Sequence, residues 1–335
     1  TDADTTDNHT FTITSAPAEG SVVNNNDGTF TFDPGADFQD LAAGETRDVT
    51  FNYTATDDSG ADNATSAAGT VIITVTGTND QPIDSNLAAA TTEDGATVEG
   101  NFVVTDADTT DNHTFTITSA PAEGSVVNNN DGTFTFDPGA DFQDLAAGET
   151  RDVTFIYTAT DDSGTGNDTS AAGTVTITVT GTNEQPLVSN VTANATEDGA
   201  TVSGNFVVTD ADTTDNHTFT ITSAPAEGSV VNNNDGTFTF DPGADFQDLA
   251  AGETRDVTFN YTATDDSGAG NATSAAGTVT VTVTGTNDQP LVSAVAADAP
   301  EDGASVAGSF VVSDDDTTDT HTFTITSAPA EGSVV

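Results

Sequence analysis

The 335-residue sequence contains no cysteine, no methionine, no tryptophan and no lysine; its basic residues are Arg47, Arg151 and Arg255. Without cysteine, no disulfide can stabilise the chain, which leaves bound metal as one of the other means open to an exported protein. Without an initiator methionine, the sequence reads as a piece of something longer. Without clustered Lys and Arg, nucleic acids and anionic membranes are excluded as partners, because their binding depends on counterion release by grouped positive charge. No stretch reaches the roughly 20 apolar residues of a membrane span. No basic start followed by an apolar run marks a signal peptide.

What is present is acid: 55 Asp and Glu give a formal charge of −52, a field that attracts cations. Such a composition with few aromatics is compatible with disorder. The pattern argues otherwise, since Phe, Val and Ile alternate with Thr in regular short runs.

The block TDADTTDNHTFTITSAPAEGSVVNNNDGTFTFDPGADFQDLAAGETRDVTF starts at Thr1 and returns unchanged at Thr105 and Thr209; a variant opens at Ser313. The period is 104 residues. The divisions expected are 1–82, lacking its first strands, complete copies at 83–186 and 187–290, and the opening part of a further copy at 291–335. A unit of about a hundred residues can hold its own core, unlike the 20–47-residue units of solenoids, so beads in series are expected.

Within 83–186, apolar side chains recur with period two. One face takes Val98, Phe102 and Val104; others take Phe115 with Ile117, Phe134 with Phe136, and Val175, Ile177 and Val179. Val153, Phe155, Tyr157 and Ala159 point inward from the longest run, and Thr fills most outward positions. NNNDG at 128–132 is a hairpin signal, Asp-Gly being suited to positive φ. Only 140–149 offers a short helical turn. Six or seven strands per hundred residues predict an all-β chain of tandem Ig-like, two-sheet antiparallel β-sandwiches in a linear array.

The acids gather in loops: Glu93 and Asp94; Asp106, Asp108 and Asp111; Asp161 and Asp162. Sandwich topology brings Asp106, Asp108 and Asp161 towards Asn79 and Asp80 of the preceding linker, TGTNDQP. Two carboxylates about 5 Å apart repel by roughly 3 kcal/mol at an effective dielectric constant near 20, so several together require a cation. Ca²⁺ accepts six to eight oxygens in irregular geometry, whereas Mg²⁺ wants a strict octahedron and Zn²⁺ nitrogen or sulfur. Ca²⁺ therefore fits. DADTTD is not an EF-hand loop, lacking Gly at position 6 and Glu at 12, so its ligands must come from separate segments.

TDADTTD, YTATDDSG and TVTITVTGTNEQP, in that order and spacing, resemble the cadherin pattern. DGTFTFDPGADF and LAAGETRDVTFIYTATDD are more similar still to the VCBS-type cadherin-like repeats in the extender regions of bacterial RTX adhesins. The resemblance implies Ca²⁺ bound between successive repeats. At the linker 181–186 it implies ligands from Glu93 and Glu149 before it, Asn183 and Glu184 within it, and Asp210, Asp212 and Asp265 after it. The same positions recur as Glu45, Asn79, Asp80, Asp106, Asp108 and Asp161, and as Glu197, Glu253, Asn287, Asp288, Asp314 and Asp316. Gly77, Gly181 and Gly285 stand where that pattern has an Asp, and Gln81, Gln185 and Gln289 where it has Asn. One or two ions per junction are expected.

The function implied is a calcium-rigidified stalk of a secreted adhesin. It would be exposed on a Gram-negative surface after type I secretion, project a distal adhesive module in biofilm formation, and have as partners only neighbouring repeats of one monomeric fibre. The alternative is that each repeat itself binds a glycan or protein. An enzyme is not expected: acid pairs suit glycosidases, but these lie in turns without a pocket or aromatic platform. His9, His113, His217 and His321 share one position and are expected to serve at the surface or as caps. Each Arg is expected to pair with a nearby acid, and the Thr rows are read as polar strand residues rather than an ice or glycan surface. Asn-x-Thr triplets such as 167–169 carry little meaning in a bacterial chain.

Overall fold

Alternation of Thr with branched or aromatic residues dictates strands, and the structure, a computed structural model that describes residues 4–335, forms strands and turns with no helix among those residues. The segment at 140–149 is a series of turns. Among the described residues no helix is long and apolar enough to cross a membrane.

The chain divides into two compact units, residues 1–142 with 150–180, and residues 143–149 with 181–335. The first unit carries β1 (His9–Ser15), β2 (Ser21–Asn24), β3 (Phe30–Asp33), β4 (Thr46–Asp57) and β5 (Gly69–Thr76). There follow β6 (Ile83–Asp84), β7 (Leu87–Thr92), β8 (Val98–Asn101), β9 (Val104–Thr105) and β10 (Thr114–Ser119). It closes with β11 (Ser125–Asn128), β12 (Thr133–Asp137), β13 (Thr150–Thr160) and β14 (Gly173–Thr180). The second unit holds β15 (Leu187–Val188), β16 (Val191–Thr196), β17 (Val202–Asn205), β18 (Val208–Thr209), β19 (Thr218–Ser223) and β20 (Ser229–Asn232). Its remaining strands are β21 (Thr237–Asp241), β22 (Thr254–Thr264), β23 (Gly277–Thr284), β24 (Leu291–Val292) and β25 (Val312–Ser313).

Residues 83–186 form two sheets, ordered β10-β13-β14-β7 and β11-β12-β8, and residues 187–290 repeat them as β19-β22-β23-β16 and β20-β21-β17. Phe134, Phe136, Phe155, Tyr157, Val175, Ile177 and Val179 are buried between the sheets, as period two requires. Burying side chains of this size stabilises by about 1.5–3 kcal/mol each. Phe102 lies at the centre, its ring 4.8–5.4 Å from those of Tyr157, Phe115 and Phe134.

Two expectations change. The sandwich is not wholly antiparallel: β7 pairs with β14 in parallel, from Val175↔Leu87 to Thr180↔Thr92, and β16 pairs with β23 likewise. The opening segment crosses from one sheet to the other at the turn around Glu93, so its first half runs beside the last strand in the same direction. In the NNNDG turn the positive φ values belong to Asn130 (60°) and Gly132 (91°) rather than to Asp131. Asp131 instead accepts hydrogen bonds from Thr133 N and Oγ1 at 3.0 and 2.6 Å.

The arginines pair as expected. Arg47 meets Glu19 at 3.1 Å and Asp40 at 2.6 Å, Arg255 repeats this with Glu227 and Asp248, and Arg151 meets Glu123.

One acid lies inside a sandwich. Asp84 accepts from Ser170 Oγ at 2.6 Å and Ala159 N at 3.1 Å, and its Oδ1 is buried without a donor. Burial raises its pKa, with the bonds from Ser170 and Ala159 opposing. The folded state thus holds the proton more tightly than the unfolded one, and stability falls as pH rises from the ordinary Asp value through the raised one. The following copy has Val188 at the same place. Asp84→Val should therefore stabilise at neutral pH by about 1–3 kcal/mol and flatten the acid side of the stability profile, read by urea denaturation between acid and neutral pH. Equal stability of variant and parent at neutral pH would refute this.

Candidate metal centre

The end of β5 runs straight into the linker. Gly77 N donates to Glu45 O at 2.8 Å, and an added Cβ on Gly77 would meet the carbonyl oxygens of Leu41 and Ala42 at 2.3 Å. This close backbone approach is why Gly stands where an Asp ligand would be expected. Beyond it the linker is stitched to the next sandwich. Asn79 Nδ2 donates to Asp161 Oδ2 at 3.2 Å, Asp80 N to Asp108 Oδ2 at 2.8 Å, and Gln81 Nε2 to Thr169 O at 2.5 Å. Gln81 therefore spans to a carbonyl through its longer side chain, which a shorter Asn would not reach in the same way.

The loop after β9 and the loop after β13 meet at this end. One oxygen from each of Asp106, Asp111 and Asp161 lies within 4.8 Å of the others. Asp108 and Asp161 are buried, and Asp108 Oδ1, Asp111 Oδ2 and Asn79 Oδ1 are buried without a hydrogen-bond donor. Burial, followed by repulsion from neighbouring acids, raises the pKa of Asp108 and of Asp111. For Asp161 burial acts in the same direction, but bonds from Ser163 and Asn79 outweigh it and the pKa falls.

In the second unit Asp210, Asp215 and Asp265 form the same group, and Asp212 Oδ2 accepts from Glu184 N at 3.0 Å. Asn183 Nδ2 donates to Asp265 Oδ2 at 3.3 Å. A further group joins three segments of that unit: Glu197 from the turn after β16, Asp288 from the linker and Asp316 from the loop after β25. Glu197 Oε1 accepts from Thr286 N at 2.7 Å and Asp316 Oδ2 from Asp288 N at 2.8 Å. The opposite oxygens, Glu197 Oε2 and Asp316 Oδ1, are buried without donors, as is Asp288 Oδ2. Burial, then Asp198, Asp316 and Glu197, raises the pKa of Asp288. Asn287 bonds locally to Asp288 O.

The remaining candidates take other places. Glu45, Glu149 and Glu253 stand outside these three groups; each closes its own loop on an Ala N and accepts from Thr110, Thr214 or Thr318 at 2.9–3.0 Å. Glu93, in the first unit, is buried, and its N–H donates to Thr180 O. Three of the four histidines are more than surface residues: His113, His217 and His321 contact Asp106, Asp210 and Asp314 through Nε2 at 2.8, 2.7 and 2.6 Å. Asp111 and Asp215 join the groups although neither was in the expected ligand set. Their signal is the sixth position of DADTTD, which a turn from Asp108 O to Asp111 N brings back to the first.

Seven carboxylates of these loops, Glu93, Asp108, Asp161, Glu197, Asp212, Asp265 and Asp316, are buried, while Arg151 pairs with Glu123 and Arg255 with Glu227 and Asp248. Buried carboxylates need paired charge or a coordinated metal. An all-oxygen donor set with unmatched buried oxygens fits a hard divalent cation of irregular coordination, Ca²⁺. The fold and its acid-lined ends thus define tandem, all-β sandwiches of cadherin type.

Comparison with known proteins specifies the family. The profile of the bacterial cadherin-like domain matches residues 79–181 and 183–285, and that of a cadherin-like domain matches 1–75. The chain belongs to the bacterial cadherin-like domain family. Among solved structures, mouse cadherin-23 EC22–24 is similar at 17% identity, over 83% of this chain and 86% of that one, with a TM-score of 0.52, which shows the shared fold. Mouse protocadherin-24 EC1–3 (14% identity, 82% and 89%, TM-score 0.46) and human mucin-like protocadherin EC1–2 (15%, 61% and 98%, 0.41) are also similar. No curated protein matches the chain.

Proposed function

We propose that this chain is a run of calcium-rigidified extender repeats from a secreted bacterial surface adhesin of the RTX type, working outside a Gram-negative cell after type I export and holding a distal adhesive module away from it in biofilm formation. Tandem cadherin-like domains suit an adhesion or extender role, and such domains are typically extracellular. The observation that carries the calcium reading is the group Glu197, Asp288 and Asp316: a sandwich turn, a linker and the loop after it contribute buried oxygens that meet no donor.

Asp106, Asp108, Asp111 and Asp161 with Asn79 Oδ1 would hold one ion, Asp210, Asp212, Asp215 and Asp265 another, and Glu197, Asp288 and Asp316 a third. When bound, Ca²⁺ supplies the positive charge that these acids lack. The chain's own part is to place them: the Asn79 amide and the Asp80 N–H fix the linker on Asp161 and Asp108, and His113 orients Asp106. No catalytic step is assigned to these acids. Sites of this class have dissociation constants of roughly 10⁻⁴–10⁻³ M, so they fill outside the cell and stay empty in the cytoplasm.

Small-angle scattering of the whole chain tests the reading. Millimolar Ca²⁺ should reduce the spread of interatomic distances to that of a stiff body, and EDTA should restore a flexible profile. Superimposable profiles in the two conditions would overturn it.

A further inference from the structure

The DADTTD loop, which reads DDDTTD in the last copy, carries two hydroxyls between its acids. In the first unit Thr110 Oγ1 donates to Glu45 Oε1 at 3.0 Å and Thr109 Oγ1 to Asp40 O at 3.4 Å. The second unit repeats both bonds twice. Thr214 meets Glu149 at 3.0 Å with Thr213 on Asp144 O at 3.3 Å, and Thr318 meets Glu253 at 2.9 Å with Thr317 on Asp248 O at 3.2 Å. At all three places the partners stand 65 and 69 residues apart in sequence, so the contact belongs to the repeat and not to any one copy.

The glutamate is itself held from behind. Glu45 Oε2 accepts from Ala42 N at 3.1 Å, and its main chain brackets the linker glycine: Gly77 N donates to Glu45 O at 2.8 Å and Gly44 N to Gly77 O at 3.1 Å. From Gly77 the linker runs to Asp80, whose N–H donates to Asp108 Oδ2, and two residues past Asp108 the chain arrives at Thr110. These residues close a circuit, with the linker as one side and the Thr110–Glu45 bond as the other. The second unit builds the same circuit from Glu149, Gly181, Glu184, Asp212 and Thr214, with Gly181 N on Glu149 O at 2.8 Å and Glu184 N on Asp212 Oδ2 at 3.0 Å. Joined through the linker alone, the acidic loop could swivel about it; a second attachment off that axis removes the rotation. The segment so pinned is the one that delivers Asp106, Asp108 and Asp111.

We propose that Thr110, Thr214 and Thr318 are positioning residues for the calcium groups, each acting as a clasp on Glu45, Glu149 or Glu253 that holds the acidic loop in register with the linker. This role rests on the calcium reading above and extends it to side chains that bind no ion. It also gives the three glutamates a part other than the direct ligation that their place in the cadherin pattern implies. Rotation removed before the ion arrives need not be lost on binding, so a closed clasp raises affinity by preorganisation. The clasps are exposed and water competes for both partners, so one such bond cannot by itself stiffen the calcium-free chain. Its loss should weaken calcium binding by about fivefold, the ratio that one net hydrogen bond supplies.

Calorimetric titration of the full 335-residue chain with calcium chloride, paired with thermal melts in EDTA, provides the test. Thr110→Val, Thr214→Val and Thr318→Val together keep the side-chain shape and remove the hydroxyls. The apparent affinity should fall about fivefold, while the melt in EDTA stays where it was, since no sandwich core is touched. Serine at the same three positions returns the hydroxyl and should return the affinity. Glu45→Gln, Glu149→Gln and Glu253→Gln should weaken calcium binding in the parent and add little in the valine background, as partners in one bond do. Parent-like affinity in the valine variant, a lowered melt in EDTA, or failure of serine to restore binding would each overturn the proposal. Glutamine losses that add in full to the valine losses would do so too, by making the glutamates direct ligands. A parent chain that takes up no calcium would overturn the function proposed above and the clasp role with it.

Discussion

Calcium at about a hundred times its dissociation constant should raise the melting temperature of this chain by roughly 10–20 °C. One site filled to that degree contributes about 2.7 kcal/mol, and a domain of this size shifts by about 4–8 °C per kcal/mol. A second, opposite effect makes the test sharp. Asp215 Oδ2 is buried without a donor, and burial together with repulsion from Asp212 and Asp265 raises its pKa. In EDTA its charge opposes folding, and stability should fall as pH rises through the raised pKa, because the folded state then holds the extra proton. Asp215→Asn should therefore raise the melting temperature in EDTA and lower it in calcium. Calorimetry in both conditions reads the crossing; a change of the same sign in each would exclude a cation at this group.

The second large effect concerns the linker glycine. An added Cβ at Gly285 would lie 2.3 Å from Leu249 O and 2.4 Å from Ala250 O. Gly285 N donates to Glu253 O and Gly285 O accepts from Gly252 N, so neither chain can retreat without losing these bonds. Gly285→Ala should cost about 3 kcal/mol or more, at the upper end of overpacking effects, and depress the melting of the sandwich that it closes. Gly270→Ala, with nothing within 4 Å of its added Cβ, is the control and should stay within about 0.5 kcal/mol of the parent. Equal melting of the two variants would show that the linker has room to shift.

Most of the fold could be read from the alternation of Thr with Phe, Val and Ile, since burial on one face of a pleated strand enforces period two. The inward set of β13, Val153 to Ala159, follows it position by position. β7 could not be read, because LAAATT has little strand character of its own and is held by its ladder to β14. Its parallel direction depends on a sheet switch that no local residue signals. At the acid ends, the meeting of Asp106 with Asp161 follows from strand order, and the contacts of Asn79 and Asp80 from the linker. The turn that returns Asp111, and the reach of His113 to Asp106 over seven residues, depend on loop conformation, which a count of acids does not supply. The hairpin shows the same limit: NNNDG announces a turn, yet Asn130 rather than Asp131 adopts the left-handed conformation because the Asp131 carboxylate is engaged by Thr133.

The parallel pairing of β7 with β14 bears on how a repeat resists force. Its opening strand and its closing strand point the same way, so tension applied at Leu87 and at Thr180 slides one along the other. The ladder is then loaded in shear, and its bonds must fail together. An antiparallel pair pulled at adjacent ends would instead unzip one bond at a time. Each of the two complete sandwiches is thereby a mechanical lock whose strength lies along the chain.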